Sequence, residues 1–438
     1  MKSCVLYKLT QFTQLIAMKQ FINTLRDSIE ITVPNSNAGR LARLKARRKL
    51  WLDVHLYLGL IVGAILAVVG LTGGILVFYQ EMQEVLNPEL AIVSTPPESQ
   101  ERLHALADVV AAAETAKPQG SVFFKVYYPR EADVAYKLLY FVKDESQANK
   151  KGDGYYIFVD SYTMQVKGLQ LWHPKDKYWG RPLVSFIMQL HWCLLLGKTG
   201  GIINGILAAL SIISVLTGLI VWWPLTGKLK QALSFKPNAS AVRFNFDLHK
   251  TIGFYLTIVL LPVLFSGIYM VLPDRVNVLL KLFTSIDRPD AYSAVPAEIH
   301  SSPPQAGQQA ISIGEVEAIV QGYSPVGKLW MLNAPKNGQD VYTVMKRDVT
   351  EISRFIGYRD FAVDQYSGEI LKVYDRGTGS AGDVFLDWQW PLHSGHAFGW
   401  TGRILVFIAG LACPVLYVTG VIRWLQKRRA KRSVKLPG

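Results

Sequence analysis

Residues 190–222 read LHWCLLLGKTGGIINGILAALSIISVLTGLIVW, and residues 392–424 read LHSGHAFGWTGRILVFIAGLACPVLYVTGVIRW. Leu190-His191, Gly197, Thr199-Gly200, Ile202, Thr217-Gly218 and Trp222 return as Leu392-His393, Gly399, Thr401-Gly402, Ile404, Thr419-Gly420 and Trp424, each shifted by 202 positions. A second pair of segments behaves the same way. Asp53-Val54-His55, Gly59 and Thr72-Gly73 recur as Asp247-Leu248-His249, Gly253 and Ser266-Gly267, shifted by 194. Neither match needs a gap, so the chain reads as a tandem duplication of roughly residues 45–230 and 240–430, a form of internal symmetry common in membrane bundles.

Half of the 438 residues are hydrophobic, which is too apolar for an ordinary soluble multidomain enzyme. Leu56–Phe78, Ile202–Trp223, Ile252–Leu272 and Ile404–Trp424 each supply about 20 apolar residues, enough to cross a hydrocarbon core of about 30 Å. The formal charge of +14 does not point to nucleic acid, because the basic residues cluster beside these segments. Arg40, Arg43, Lys45, Arg47, Arg48 and Lys49 precede the first. Lys228, Lys230, Lys236 and Arg243 separate the second from the third, and Arg423, Lys427, Arg428, Arg429, Lys431 and Arg432 follow the fourth. All three clusters fall on one side, which the positive-inside rule makes cytoplasmic, with both termini. Residues 1–39 hold no apolar core followed by a small-residue cleavage site, so the first span is expected to be its own anchor.

The expected organisation is therefore a membrane α-helical, four-span bundle carrying two small α+β modules on the periplasmic side. Its divisions are a cytoplasmic tail (1–49), a first span (50–80), module one (81–185), a second span with an outer histidine segment (186–225), a cytoplasmic loop (226–246), a third span (247–273), module two (274–388), a fourth span with its own histidine segment (389–426), and a cytoplasmic tail (427–438). In the first module residues 99–116 look helical, and Val122–Tyr128, Val134–Val142 and Tyr155–Val159 look like strands. The second module repeats the order with Ile313–Gln321, then Leu329–Leu332, Val341–Met345 and Phe361–Val363. Related turns close them, Val159-Asp160-Ser161-Tyr162-Thr163 and Val363-Asp364-Gln365-Tyr366-Ser367, and Ile286–Gln309, rich in Pro, Ser and Ala, reads as an irregular connection.

The duplication brings histidines into two couples, His55 with His249 at the cytoplasmic ends of their helices and His191 with His393 at the outer ends. Two neutral imidazoles on opposite faces of an iron give a six-coordinate centre suited to single-electron transfer, so the reading is two haem b groups, one near each membrane face. A histidine at the edge of a span is also a comfortable interfacial residue, but comfort alone does not demand matched registers in both halves. Cys4, Cys193 and Cys413 form no CxxCH, so the haems would be non-covalent. His396, three residues beyond His393 and able to share a helix face with it, is the alternative ligand. His104, His173 and His300 have no partner in the repeat and read as solvated or turn residues.

Asp53 and Asp247, two residues before their histidines, read as helix N-caps in preference to groups that orient the rings. Lys198 and Arg403 lie near the outer histidines, either pairing with haem propionates or snorkelling to the interface. The Thr/Ser-Gly pairs at 72–73, 217–218, 266–267 and 419–420 either let helices approach closely or make room for a flat macrocycle. Pro262 and Pro414 are expected to kink the third and fourth spans. His191 and His393 precede their apolar runs by eleven residues, so an unbroken helix would lift them about 16 Å beyond the membrane edge. A bend at Gly197–Gly201 and Gly399–Gly402, laying the histidine segments against the membrane, is the expected remedy.

The segments His55–Gly59, Leu190-His191 through Trp222-Trp223-Pro224, Asp247-Leu248-His249 and Pro391-Leu392-His393-Ser394-Gly395 resemble the PepSY-associated transmembrane family. Its turn, Val-Asp-x-x-Ser/Thr-Gly-Glu, is matched well at Val363–Glu369 and loosely at Val159–Gln165, and the likeness runs from about 45 to 428. The family includes iron-regulated inner-membrane proteins and haem-containing ferric-siderophore reductases. The resemblance thus implies a multi-pass inner-membrane enzyme that reduces a ferric siderophore and so releases its iron. No Gly-rich dinucleotide fingerprint and no flavoprotein domain are present, so the electron donor is expected to be external, a flavin or NAD(P)H reductase or the quinol pool. Because PepSY-like modules are also associated with restraining peptidases, the alternative is a non-redox membrane-anchored interaction protein or a component of a siderophore-uptake permease.

Overall fold

A computed structural model describes residues 37–96, 104–143, 151–175, 181–224, 229–236, 238–287, 298–353 and 355–433. The N-terminal tail with Cys4, residue Lys228, and parts of the expected first-module helix and of the irregular connection lie outside the described residues. The chain divides into two compact units, Met1–Val54 and His55–Gly438, and all four expected histidine ligands belong to the second.

Four helices are long and apolar enough to cross a membrane, Ala46–Leu76, Gly197–Trp222, Ala241–Val271 and His396–Ala430. At 26–35 residues each, they exceed the ~20 that a bilayer core requires. The chain is a multi-pass membrane protein. In order, the helices are α1 (Asn37–Leu76), α2 (Tyr79–Leu86), α3 (Pro88–Ala91), α4 (Leu106–Ala116), α5 (Leu183–Cys193), α6 (Gly197–Trp222), α7 (Leu229–Leu233), α8 (Ala241–Val271), α9 (Pro273–Leu280), α10 (Ile313–Tyr323), α11 (Ala381–Ser394) and α12 (Gly399–Ser433). Small residues set the helix spacing, as expected where lipid supplies no hydrophobic drive between helices. A Cβ on Gly410 of α12 would stand 2.5 Å from the Gly70 carbonyl of α1, and one on Gly205 of α6 would stand 2.9 Å from Val271 of α8. Leu260 of α8, Ala409 and Cys413 of α12 and Leu66 of α1 fill the middle of the bundle. α8 and α12 run on through Pro262 and Pro414.

The strands are β1 (Ser121–Tyr127), β2 (Tyr136–Lys143), β3 (Lys151–Val159), β4 (Val166–His173), β5 (Lys328–Asn333), β6 (Tyr342–Arg347), β7 (Arg359–Val363) and β8 (Ile370–Asp375). Each module contributes an antiparallel four-strand meander, and the two join in one sheet of order β4-β3-β2-β1-β5-β6-β7-β8. The joint is antiparallel, with Lys125, Val126 and Tyr127 opposite Asn333, Leu332 and Met331. α4 and α10 cover one face, where Leu106, Val109, Val316 and Val320 pack on Val126, Leu138, Ile157, Leu332, Val344 and Phe361. Pairing β1 with β5 removes two sheet edges that each module alone would leave open.

The related turns keep the same bonding. Asp160 accepts the backbone N–H groups of Tyr162 and Thr163 at 2.8 and 3.0 Å, and Asp364 accepts those of Tyr366 and Ser367 at 2.7 and 3.0 Å. Asp364 is buried and takes a third N–H, from Ser302 at 2.6 Å. Burial opposes its ionisation, but the three N–H donors prevail and hold the carboxyl at about 2. A folded value below the ordinary one means that the contribution to stability is complete above about pH 4 and fades as pH falls toward 2. Asp364→Ala should therefore destabilise the sheet by about 2 kcal/mol at pH 7. In denaturation of the solubilised full-length protein that difference should shrink on acidification, and a pH-independent difference would remove this account of the turn.

Candidate functional site

His55 of α1 and His249 of α8 bring their ring centres to 6.2 Å, with 73° between the planes. His191 of α5 and His393 of α11 stand at 5.9 Å and 52°. The structure thus brings together all four expected residues, in the expected couples. Both couples sit inside the bundle. The Nδ1 of His191 lies 2.9 Å from the Val69 carbonyl of α1, and that of His393 lies 3.0 Å from the Val263 carbonyl of α8. Val69 is fourteen residues beyond His55 on α1, and Val263 fourteen beyond His249 on α8. At about 1.5 Å per residue, both helices place the two levels roughly 20 Å apart.

One local rule positions three of the rings and varies at the fourth. The carbonyl that faces Nδ1 belongs to the residue three before a Thr/Ser-Gly pair. It is Ser214 for His55 at 2.8 Å, Val69 for His191 and Val263 for His393, while the His249 Nδ1 meets the hydroxyl of Thr419, the Thr of its own pair, at 2.9 Å. The glycine of the same pair lies under the ring. A Cβ on Gly73 would stand 2.5 Å from the His191 Cε1 and one on Gly218 2.9 Å from the His55 Cε1, while on Gly267 and Gly420 it would stand 3.3 Å from the Cε1 of His393 and His249. The two readings of these pairs therefore meet, since the small residue that permits close approach is approached by a histidine.

A carbonyl only accepts, so a neutral imidazole bonded to it carries its proton on Nδ1 and keeps a lone pair on Nε2. Among the described residues no hydrogen bond reaches any of the four Nε2 atoms. Each couple thus offers two bare lone pairs and no proton to share between them. An iron held between two imidazole nitrogens, each about 2 Å away, spaces the ring centres by roughly 6 Å, as in both couples. A bare ion asks for three or four protein ligands, and no group of three or more His, Cys, Asp or Glu side chains is gathered among the described residues. Two axial nitrogens without equatorial ones are what a metal already seated in a planar macrocycle needs. At the His191/His393 level a cavity of ≈ 190 Å³ is lined by both rings, by Gly70, Gly73, Gly74, Gly267 and Gly410, and by leucine and valine side chains. The site residues fit a haem.

The breaks that deliver His191 and His393 begin earlier than expected. α5 ends where Leu194 and Leu195 adopt left-handed backbone, with φ of 52° and 60°, and α11 ends at Gly395 with φ 78°. The chain reverses over these residues and the first glycine of each expected bend, Gly197 and Gly399, which open α6 and α12 with φ of 58° and 57°. Gly200 and Gly402 serve the reversal by lacking a Cβ, which would collide with the carbonyls of Cys193 and Gly395. His396 opens a short 3₁₀ turn, so it does not share a helix face with His393. It lines the same cavity, but the ring facing His191 is that of His393.

Neither aspartate is a cap. Asp53 lies well inside α1, and α8 begins at Ala241 with Ser240 as its N-cap, accepting the Arg243 N–H at 3.4 Å. Asp247 is buried in the second turn, with Arg243 at 2.9 Å and Lys250 at 3.1 Å. The helix simply starts earlier than its apolar run, in the mixed stretch that follows Ser240. Lys198 is exposed, whereas Arg403 is buried between the rings of Phe78 and Trp400 and bonded to the Val77 carbonyl and to Glu81 at 2.7 Å. Its charge already has a protein partner. Of the unpaired histidines, His104 bonds the Tyr162 carbonyl at 2.9 Å and His173 packs on Phe141. Sequence reasoning left out the Nδ1 acceptors, and the legible signal was the position of each Thr/Ser-Gly pair opposite a histidine.

No curated protein matches the chain. The family described as the PepSY-associated TM region matches residues 52–427, a stretch that contains all four histidines and every strand. By that match the chain belongs to the PepSY-associated transmembrane family.

Proposed function

We propose that the protein is a di-haem b oxidoreductase of the bacterial inner membrane, a tandemly duplicated chain that passes electrons from the cytoplasmic side or the quinol pool to a ferric siderophore on the periplasmic side. The observation that carries this reading is the pairing of imidazoles at two levels, each with Nδ1 facing a helix carbonyl or, at His249, the Thr419 hydroxyl, and Nε2 left open. His55 with His249 and His191 with His393 would each hold one haem. Haem bound there supplies one-electron chemistry between ferrous and ferric iron.

The chain's own contribution is placement. Helix carbonyls fix the tautomer and orientation of His55, His191 and His393, and the Thr419 hydroxyl does so for His249. Gly73 and Gly218 admit the rings where a Cβ would collide with them, and Gly267 and Gly420 keep the approach close where a Cβ would crowd it. Leu66, Leu260, Ala409 and Cys413 keep the region between the two levels apolar. The sheet sits at the His191/His393 end, and the basic clusters beside the other end argue by the positive-inside rule that the sheet is outside. Reduction of the ferric chelate weakens the hold of hard oxygen donors on the iron, so metal is released with the carrier intact.

The activity is tested on purified protein reduced under argon and mixed with excess ferric hydroxamate. The reduced α-band should disappear while a ferrous-specific chromophore accumulates in step. A band that stays reduced rejects the reductase assignment and favours a membrane-anchored interaction protein.

A further inference from the structure

We propose that the hydroxyls of Ser266 and Thr419 are positioning groups that tune the two histidine centres separately, Thr419 acting on His55/His249 and Ser266 on His191/His393. The inference deepens the haem reading above and rests on it. Each hydroxyl gives its only proton to the helix carbonyl one turn back, Ser266 to Pro262 and Thr419 to Val415, both at 2.7 Å. With the proton committed, the oxygen acts as acceptor toward any further donor. The donor in reach is Nδ1–H, 3.1 Å from the Ser266 Oγ for His393 and 2.9 Å from the Thr419 Oγ1 for His249.

The first half of the chain repeats this contact only at His191, and at longer range. Thr72, its proton on the Val68 carbonyl, meets the His191 Nδ1 at 3.4 Å, where the Val69 carbonyl at 2.9 Å is the nearer acceptor. Thr217 bonds the Ile213 and Ser214 carbonyls, and His55 takes the Ser214 carbonyl. In each couple the nearer side-chain oxygen therefore sits on the second-half histidine, Thr419 on His249 and Ser266 on His393. Backbone acceptors are fixed by the fold. The hydroxyl is the part that substitution can change. An acceptor on Nδ1–H makes the imidazole a stronger electron donor and favours the ferric state of an iron it ligates. Removing the acceptor should raise the midpoint potential of that centre alone.

The test is spectroelectrochemical titration, with ferric-state electron paramagnetic resonance, of full-length wild type, Thr419→Val, Thr419→Ser, Ser266→Ala and Ser266→Thr. Thr419→Val should raise one midpoint and shift one set of g values, Ser266→Ala should move the other set, and the two hydroxyl-retaining variants should stay near wild type. If Thr419→Val or Ser266→Ala loses its haem, retention in Thr419→Ser or Ser266→Thr gives the same support. Haem retained with unmoved potentials, both centres moving together, or hydroxyl-retaining variants behaving like the deletions would overturn this inference and leave the haem reading standing. A colourless wild type would overturn both.

Discussion

In His249→Ala, purified protein should hold half the wild-type haem, with one set of low-spin signals gone and the other unchanged. Removing the imidazole takes away one axial nitrogen at the His55/His249 level and leaves His55 facing an empty space. Loss of a group that merely orients a metal ligand costs 10–100-fold in affinity, so loss of a ligand should cost about 100-fold or more. The His191/His393 level lies roughly 20 Å away along α1 and α8 and shares no ring, carbonyl or glycine with the first, so its occupancy should not respond. His55→Ala should reproduce the spectrum of His249→Ala, and His393→Ala should remove the complementary set. Haem analysis with low-temperature spectra checks all three. If one substitution strips both signals or neither, the couples are not independent ligand pairs.

Gly73→Ala should empty the His191/His393 level almost as completely as loss of a histidine, although it adds only one methyl group. The new Cβ would stand 2.5 Å from the His191 Cε1, inside any allowed contact, while the Val69 carbonyl one turn back on the same helix holds the ring there by its Nδ1 at 2.9 Å. The ring must leave, and with it the axial nitrogen. Crowding should cost about 1–3 kcal/mol of stability, and the displaced ligand at least tenfold in haem occupancy. Gly59→Ala is the matched control, because a Cβ there meets nothing within 4 Å. It should retain both signals, and Gly218→Ala should lose the one Gly73→Ala keeps. Equal haem content in Gly73→Ala and Gly59→Ala would mean that the glycine does not seat the ring.

The histidine couples were legible because each repeats its surroundings at a constant offset, and the helices carry that register into space. His55 meets His249 because Thr217-Gly218 and Thr419-Gly420 sit under their rings at equivalent places. The helix reversals were legible only in part. Leu194 and Leu195 carry left-handed backbone without a glycine to announce it, while Gly197 and Gly399, the first residues of the expected bends, share that conformation at the start of the next helix. Strands β4 and β8 escaped notice because Val166–His173 and Ile370–Asp375 mix polar, charged and apolar residues, as sheet-edge strands often do. The joining of the modules was hidden for another reason. Nothing in Ser121–Tyr127 distinguishes a strand that pairs with its neighbour's module from one that ends a sheet, since that choice is made between residues some two hundred positions apart. Asp53 and Asp247 misled because a helix need not start where its apolar stretch does.

The most direct measurement is haem stoichiometry by pyridine haemochrome, with electron paramagnetic resonance of the oxidised protein, on full-length material from haem-replete cells. Two haem b per chain, both six-coordinate and low-spin, are predicted. A preparation with no haem, or with a high-spin centre lacking its second imidazole, would contradict the claim that these four histidines form two axial pairs.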